Sequence, residues 1–279
     1  NLTLKLDGIS RTAPLIHDTL IDFNHIAEAP NQTQGGNAYN FVDWSDGGAQ
    51  QHTIIAPNIA TSYVATYSVA QNPAVISSGS AAASGVGASI SITHGINIQE
   101  NDLIMAFVHI NRNQRVSQNN GANSFTEVID QAGPDTNGHA IYSRVAGPSE
   151  PATYQSTVPT GDRWSVAIRV FKNVNTANIW DVTPSIATRS SGNGVTATAP
   201  SITINTAGAM GIVFVFSDTS TQSFSNPTNG YSSELEVGSQ PQATYTRSWL
   251  SPGATGSASV TQNSNDWMAY QMALRPAAP

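Results

Sequence analysis

The sequence predicts an all-β protein, and three observations carry that expectation. Apolar and polar residues alternate in short runs such as Leu2 to Leu6, the period-two signature of a half-buried strand. The chain draws its polarity from Ser, Thr, Asn, Gln and Gly rather than from charge: charged residues make up 10%, and lysine occurs only at Lys5 and Lys172. Neutral polar side chains suit the solvent face of strands, whereas the strong helix formers Lys and Glu are scarce. Finally, the stretch Ala140 to Phe171 returns as Ala243 to Leu274 at a constant offset of 103 residues, from Tyr142 to Tyr245, Arg144 to Arg247 and Trp164 to Trp267. The expected architecture is a small Ig-like sandwich over residues 1–70, a linker or first strand over 71–87, and a larger jelly-roll-like β-sandwich with internal duplication over 88–279. The halves of that duplication are expected at about 88–185 and 194–276.

Composition excludes several classes of function. A length of 279 residues fits two domains. The net charge is -7 and only Arg112 and Arg115 sit close together, so no footprint for a phosphate backbone is expected and nucleic acid is excluded as a partner. No segment approaches the roughly 18 uninterrupted apolar residues of a spanning helix, so no membrane insertion is expected. The absence of cysteine removes disulfides, thiol nucleophiles and thiolate metal sites. This low-charge, Thr/Ser/Asn-rich style is that of secreted bacterial β-proteins, which points to an extracellular location. The chain opens at Asn1 on a strand pattern without a basic segment and apolar run, and is expected to be a mature form or a fragment of something longer.

In the first domain, Leu2 to Leu6 meets the turn Asp7-Gly8, and short runs follow at residues 19–27, 39–44, 52–55 and 62–69. About 70 residues without a disulfide make a marginal unit. Trp44 closes a strand and is expected in the core, since burying such a ring contributes on the order of 2 to 3 kcal/mol. Asp46-Gly47-Gly48 reads as a turn. The alternative there is a structural calcium shared by Asp43 and Asp46, but two carboxylates fall short of the six to eight oxygens calcium takes, and EF-hand spacing is absent. The run Tyr39 to Ile54, with Trp44-Ser-Asp-Gly-Gly48, the downstream His52-Thr-Ile54 and Tyr63-Val-Ala-Thr-Tyr67, resembles the small Ig-like accessory module of secreted bacterial sugar dehydrogenases and glycoside hydrolases. That resemblance covers the whole first domain and implies a non-catalytic sandwich accompanying other domains, with no ligand residues to transfer.

The second domain proceeds in two matching passes. Ala88 to Thr93, Asp102 to Ile110, a polar loop and Ser124 to Asp130 lead into the first copy of the repeat. Pro200 to Asn205, Ala209 to Ser217, another polar loop and Tyr231 to Val237 lead into the second. The continuous apolar runs around Phe107 and Phe214 read as strands buried on both faces. Two passes make either one large sandwich or two packed half-sandwiches. Parity complicates the echo: Trp164 shares a face with Val166, Ile168 and Val170, whereas the apolar face of the second copy is Met268, Tyr270, Met272 and Leu274, opposite Trp267. The tryptophans are therefore expected to point differently relative to the core. Residues 73–276, through Asp102 to Val108, Glu150 to Tyr154, Trp164 to Ile168 and Trp267 to Pro276, resemble β-sandwich modules of bacterial extracellular and phage structural proteins. The resemblance implies surface recognition or assembly and brings no catalytic residues.

No motif for catalysis emerges. His17, His25, His52, His94, His109 and His139 are scattered without metal-site spacing, and His17-Asp18 with His25 is the one group that strands could bring together. No nucleophile elbow is present. The acids Glu127, Asp130, Glu150, Asp162, Asp181, Glu234 and Glu236 lie beside turns or on alternating strands and read as solvated surface. Neither a catalytic role nor a cofactor is expected. Binding is the better expectation, because sugar recognition combines an aromatic platform with amide and guanidinium groups for hydroxyls. The loop from Asn111 to Asn123, with Arg112, Asn113 and Arg115, supplies polar groups; its counterpart from Asp218 to Gly230 adds Phe224. Trp180 and Trp249 have no aromatic echo in the repeat and become the platform candidates, while Trp164 and Trp267 are assigned to the scaffold. The expected function is a secreted, non-catalytic accessory protein that binds polysaccharide or a cell-surface glycan. The rival is a filament, adhesin or virion subunit that self-associates through strand edges.

Overall fold

A computed structural model describes residues 2–34, 37–70, 73–111, 125–132, 137–157, 163–218, 223–238 and 240–278. The chain divides into two compact units, Asn1–Asn72 (with Pro279) and Pro73–Ala278. Both are antiparallel β throughout, and the one helical element among the described residues is a single 3-10 turn at Ile186–Thr188.

Among the described residues, unit 1 contains seven strands: β1 (Thr3–Leu6), β2 (Ile9–Thr12), β3 (Asn24–Glu28), β4 (Gln32–Gln34), β5 (Asn37–Trp44), β6 (Gln51–Ile55) and β7 (Ala65–Ala70). They form a four-stranded sheet in the order β2-β1-β3-β6 and a three-stranded sheet in the order β4-β5-β7. The β1–β2 hairpin turns at Asp7 and Gly8, both with positive φ, which is what an Asp-Gly pair supplies. Its core is small. Ala27, Ala29 and Trp44 are buried, with Leu4, Phe41, Ile54, Tyr63, Ala65 and Tyr67 packed partly against them. Trp44 takes the core role that its size predicts, at 5% exposure.

In unit 2 the first pass gives β8 (Ile76–Val86), β9 (Ser89–Thr93), β10 (Leu103–Ile110), β11 (Thr126–Ala132), β12 (Gly138–Val145), β13 (Thr153–Thr157) and β14 (Arg163–Lys172). The second gives β15 (Trp180–Val182), β16 (Arg189–Ala199), β17 (Thr203–Ile204), β18 (Ala209–Ser217), β19 (Ser232–Val237), β20 (Gln242–Trp249), β21 (Gly253–Ala254) and β22 (Ala258–Leu274). The sheet order β11-β12-β10-β14-β8 is repeated as β19-β20-β18-β22-β16, and the pair β13-β9 as β21-β17. Register is repeated too. Phe107 lies opposite Ile141 and Ala167, and Phe214 opposite Thr244 and Tyr270, the same positions displaced by the repeat. The two passes are thus two half-sandwiches. Residues 76–86 are a strand paired along β14 rather than a linker.

The halves face one another across a shared core of Leu103, Met105, Phe107, Phe171, Met210, Ile212, Phe214, Met268, Tyr270, Met272 and Leu274. Contacts across it reveal a two-fold pseudo-symmetry. Phe107 meets Phe214 at 5.1 Å between ring centroids, and His109 meets Phe216 at 4.6 Å, so β10 and β18 run in the same direction. Arg169 on β14 reaches Thr244 on β20, while His139 on β12 reaches Tyr270 on β22. Each half therefore offers the other the same surface, as in an isologous dimer.

Both tryptophans of the repeat turn away from the shared core into the outer core of their own half, which corrects the expectation from parity. Trp164 packs with Val166, Ile168 and Val170 beneath β9 and β13, and Trp267 packs against the cluster that includes Ala269. The misleading feature is the face turned to the shared core. It is wholly apolar in β22, but in β14 it carries Ser165 and Arg169, both buried, so its periodicity is hidden. Each indole lies over a glycine of the edge strand beside it. A Cβ on Gly85 would meet the Trp164 ring at 2.7 Å, and one on Gly192 the Trp267 ring at 2.9 Å.

Candidate functional site

Because β10 and β18 run in the same direction, Asn111 and Asp218, the first residues of the two long polar loops, leave unit 2 at one end. Asn111 is exposed and its amide is held by the Arg163 carbonyl at 3.0 Å; the Asp218 amide is held by the Asp266 carbonyl at 3.1 Å. Arg112, Asn113 and Arg115 lie outside the described residues, as do 219–222 of the second loop.

Beneath this end the shared core becomes polar. Ser165 Oγ donates to the Gln240 carbonyl at 2.5 Å, Gln240 Nε2 to Asn137 Oδ1 at 3.1 Å, and Gln242 Nε2 to the Phe107 carbonyl at 3.0 Å. His109 and His139, directly opposite each other on β10 and β12, are fully buried, and their rings lie 4.6 and 4.7 Å from that of Phe216. His139 Nε2 and Tyr270 Oη are 2.5 Å apart, and Arg189 donates both to Tyr270 Oη at 3.2 Å and to Gln131 Oε1 at 2.6 Å. Burial pushes His109 down to about 4, partly opposed by its bond to the Pro241 carbonyl. Burial, with the neighbouring His109 and Arg189, pushes His139 down to about 3. Both imidazoles are neutral at physiological pH. Sealed from solvent, they cannot touch a substrate; what the network does is bolt the roots of the loops from both halves to one another.

The aromatic candidates do not join this end. Trp249 lies opposite Ala209, at the start of β18, and Trp180 opposite Leu274, which itself lies opposite Met210. At about 3.3 Å per residue along β18, the nine steps from Ala209 and eight from Met210 separate them from Asp218 by roughly 26 to 30 Å. Neither is a bare platform: Trp180 is half-buried against the shared core, and the guanidinium of Arg247 stacks 3.9 Å from the Trp249 ring centre. Phe224 is a core residue at 2% exposure, packed with Tyr231, Val260 and their neighbours, so its assignment to ligand binding is overturned. It lies in a loop by sequence, but an isolated bridge between Ser225 and Thr261 folds that loop onto β22.

The arginines of the repeat show how one scaffold position takes two partners. Arg144 pairs with Glu150 at 3.1 Å, and Glu150 also accepts from the Gly147 amide and Tyr154 Oη. Burial alone would raise the Glu150 carboxyl; these donors hold it below its ordinary range. Arg247 has Gly253 at the position equivalent to Glu150, and uses the Trp249 ring and the Asn229 carbonyl instead. Glu150 is therefore a structural carboxylate, and Asp181 is likewise engaged, by the Asn205 amide at 2.7 Å.

In unit 1, His25 is bonded through Nδ1 to Asp7 Oδ2 at 2.7 Å and through Nε2 to Thr19 Oγ1 at 2.8 Å, with the His17 ring edge-on at 4.9 Å. Bonds from His25 and from the Ile26 amide hold the Asp7 carboxyl below its ordinary range. The order carboxylate, imidazole, hydroxyl is that of an acid–base relay. Acyl transfer additionally needs oxyanion donors and a walled site, yet Thr19 stands exposed between exposed Asp18 and Leu20. The bonds instead fasten the irregular segment after β2 to β3. The sequence placed His25 near His17 and Asp18 and missed Asp7, whose distance of 18 residues is bridged by the β1–β3 pairing.

Asp46 is committed to its turn. Its Oδ1 accepts from the Gly48 amide at 3.1 Å and its Oδ2 from His52 Nε2 at 2.9 Å, while the His52 ring packs edge-on against Trp44. A Cβ on Gly48 would collide with that ring. The Trp-Ser-Asp-Gly-Gly and His motif is thus one folded turn, and its carboxylate is already satisfied by these donors, which does not fit a calcium ligand. Among the described residues no group of three or more His, Asp or Glu side chains is arranged to hold a metal. Comparison with family models, curated proteins and solved structures finds no match to this chain.

Proposed function

We propose that this chain is a non-catalytic extracellular recognition module in which unit 2 binds a carbohydrate or cell-surface glycan through the end from which both long loops leave. The single observation that carries this reading is the common exit of Asn111 and Asp218 from a pseudo-symmetric core. Two loops rich in Asn, Gln, Ser and Thr that leave one end can present many hydrogen-bonding groups to sugar hydroxyls. Unit 1 is the accompanying spacer. The separation of Trp180 and Trp249 from this end removes them from the proposed contact surface.

The test is a glycan array probed with the full chain and two variants. Replacing Arg112 and Arg115 together with alanine should weaken retained binding by on the order of tenfold or more, the loss of about 1.4 kcal/mol. Trp180→Ala with Trp249→Ala should leave the glycan profile unchanged. Binding that survives the loop substitutions and disappears with the tryptophans would sink the assignment.

A further inference from the structure

The edge strands of unit 2 are unequal in a way the scaffold does not require. Strands β8 and β16 occupy equivalent edges of the two large sheets and are each 11 residues long. Strand β16 carries Arg189, breaks its register at a bulge between Gly194 and Thr196, and has Gly194 at a φ of 132°. Charge and bulges are the devices that blunt an edge against pairing. Strand β8 has no charge and no proline; its one bulge lies near its start, at Ser78, and from Gly79 to Val86 it keeps a single register with β14, while among the described residues no strand follows it in the sheet. The other uncharged edges among the described strands, β4, β6, β7, β9, β13, β17 and β21, are two to six residues long.

The sequence of β8 also says what fits it. Gly79 to Gly85 reads Gly-Ser-Ala-Ala-Ala-Ser-Gly, the same in both directions about Ala82. A second copy of the strand, placed antiparallel about a two-fold axis at Ala82, sets Ser80 opposite Ser84, Ala81 opposite Ala83 and Ala82 opposite itself. Small side chains meet without clash, serine pairs can exchange hydrogen bonds, and no charge meets its own kind. The two glycines also serve inside the fold, Gly79 beneath Ile96 and Gly85 beneath Trp164, so the self-match rests on the serines and alanines. Ser80, Ala82 and Ser84 are exposed.

We propose that two copies of this chain associate through β8, joining their five-stranded sheets edge to edge into one continuous ten-stranded sheet. Eleven residues a side is about half the 20–30 of a standard interface, so the association is reversible and concentration-dependent. An antiparallel junction sends the ends bearing Asn111 in opposite directions, and the dimer bridges two ligands rather than gripping one surface twice. This goes beyond the recognition reading and does not depend on which ligand is bound.

Sedimentation of the full chain across a concentration series tests it, with Ala82→Lys and Ala82→Glu as variants. The wild type should approach twice the monomer mass as concentration rises, each variant alone should stay at monomer mass with an unchanged circular dichroism spectrum, and an equimolar mixture of the two should recover the dimer. Wild-type protein at monomer mass at about 1 mM, where an association of about 4 kcal/mol is half complete, overturns the proposal. So does a variant that dimerises as the wild type does, or a mixture that fails to re-associate.

Discussion

Replacing Phe214 with alanine should lower the unfolding free energy of unit 2 by about 3–5 kcal/mol, the range for truncating a fully buried phenylalanine. Its ring lies 5.1 Å from Phe107, 5.4 Å from Phe216 and 6.2 Å from Tyr270, so its loss opens a void at the plane where the halves meet. Urea unfolding followed through tryptophan fluorescence measures the loss. A change below about 1 kcal/mol, the level of an exposed substitution, would mean that the halves do not share a core.

Acid should destabilise unit 2 through its two buried histidines. Burial lowers His109 from 6.5 to about 4 and His139 to about 3, so between 6.5 and those values the unfolded chain binds protons that the folded chain does not. The stabilisation is therefore complete above about pH 6.5 and is lost as the pH falls towards 4 and 3. At about 1.4 kcal/mol per unit, His109 alone should account for about 2 kcal/mol of the difference between pH 7 and pH 5. His109→Phe copies the residue at the equivalent position of the second half, Phe216, and should shrink the pH 7 to pH 5 difference by that amount. An unchanged slope with pH would show that His109 is not buried as a neutral ring.

How much of this was legible in the sequence depends on what masks a pattern. The strands around Phe107 and Phe214 are uninterrupted apolar runs and could be read directly. Strands β8 and β16 could not, because small residues lie beneath Trp164 and Trp267 and leave little alternation to detect. One signal was available: Gly85 to Gly192 is the same displacement, 107 residues, as Phe107 to Phe214. The inward face of β14 was hidden by Arg169, whose guanidinium is satisfied across the halves by Thr244 Oγ1 and the Thr244 carbonyl, each at 2.6 Å. Such a partner exists only once both halves are assembled, so no local pattern could mark Arg169 as buried.

The site was less legible than the fold for a related reason. Trp180 and Trp249 stood out because the repeat did not demand them, yet a residue free of the repeat can still fill space, and strand direction puts both at the end away from Asn111. Phe224 looked exposed because its neighbours are Ser and Asn, but the loop folds back onto the outer core. The polar layer of His109, His139 and Gln240 was invisible for the opposite reason: the histidines meet only through the β10–β12 pairing, and Gln240, in the turn before β20, reaches them only when the halves pack together.

Whether both halves send their long loops from one end is the claim on which fold and function rest together, and distance between labelled sites tests it directly. The chain contains no cysteine, so introduced pairs carry spin labels at defined positions. Asn111→Cys with Asp218→Cys should give an interspin distance shorter than Asn111→Cys with Leu250→Cys by on the order of 15–20 Å, the length of most of one strand. Equal distances, or a longer distance for the first pair, would contradict the shared end and with it the proposed recognition surface.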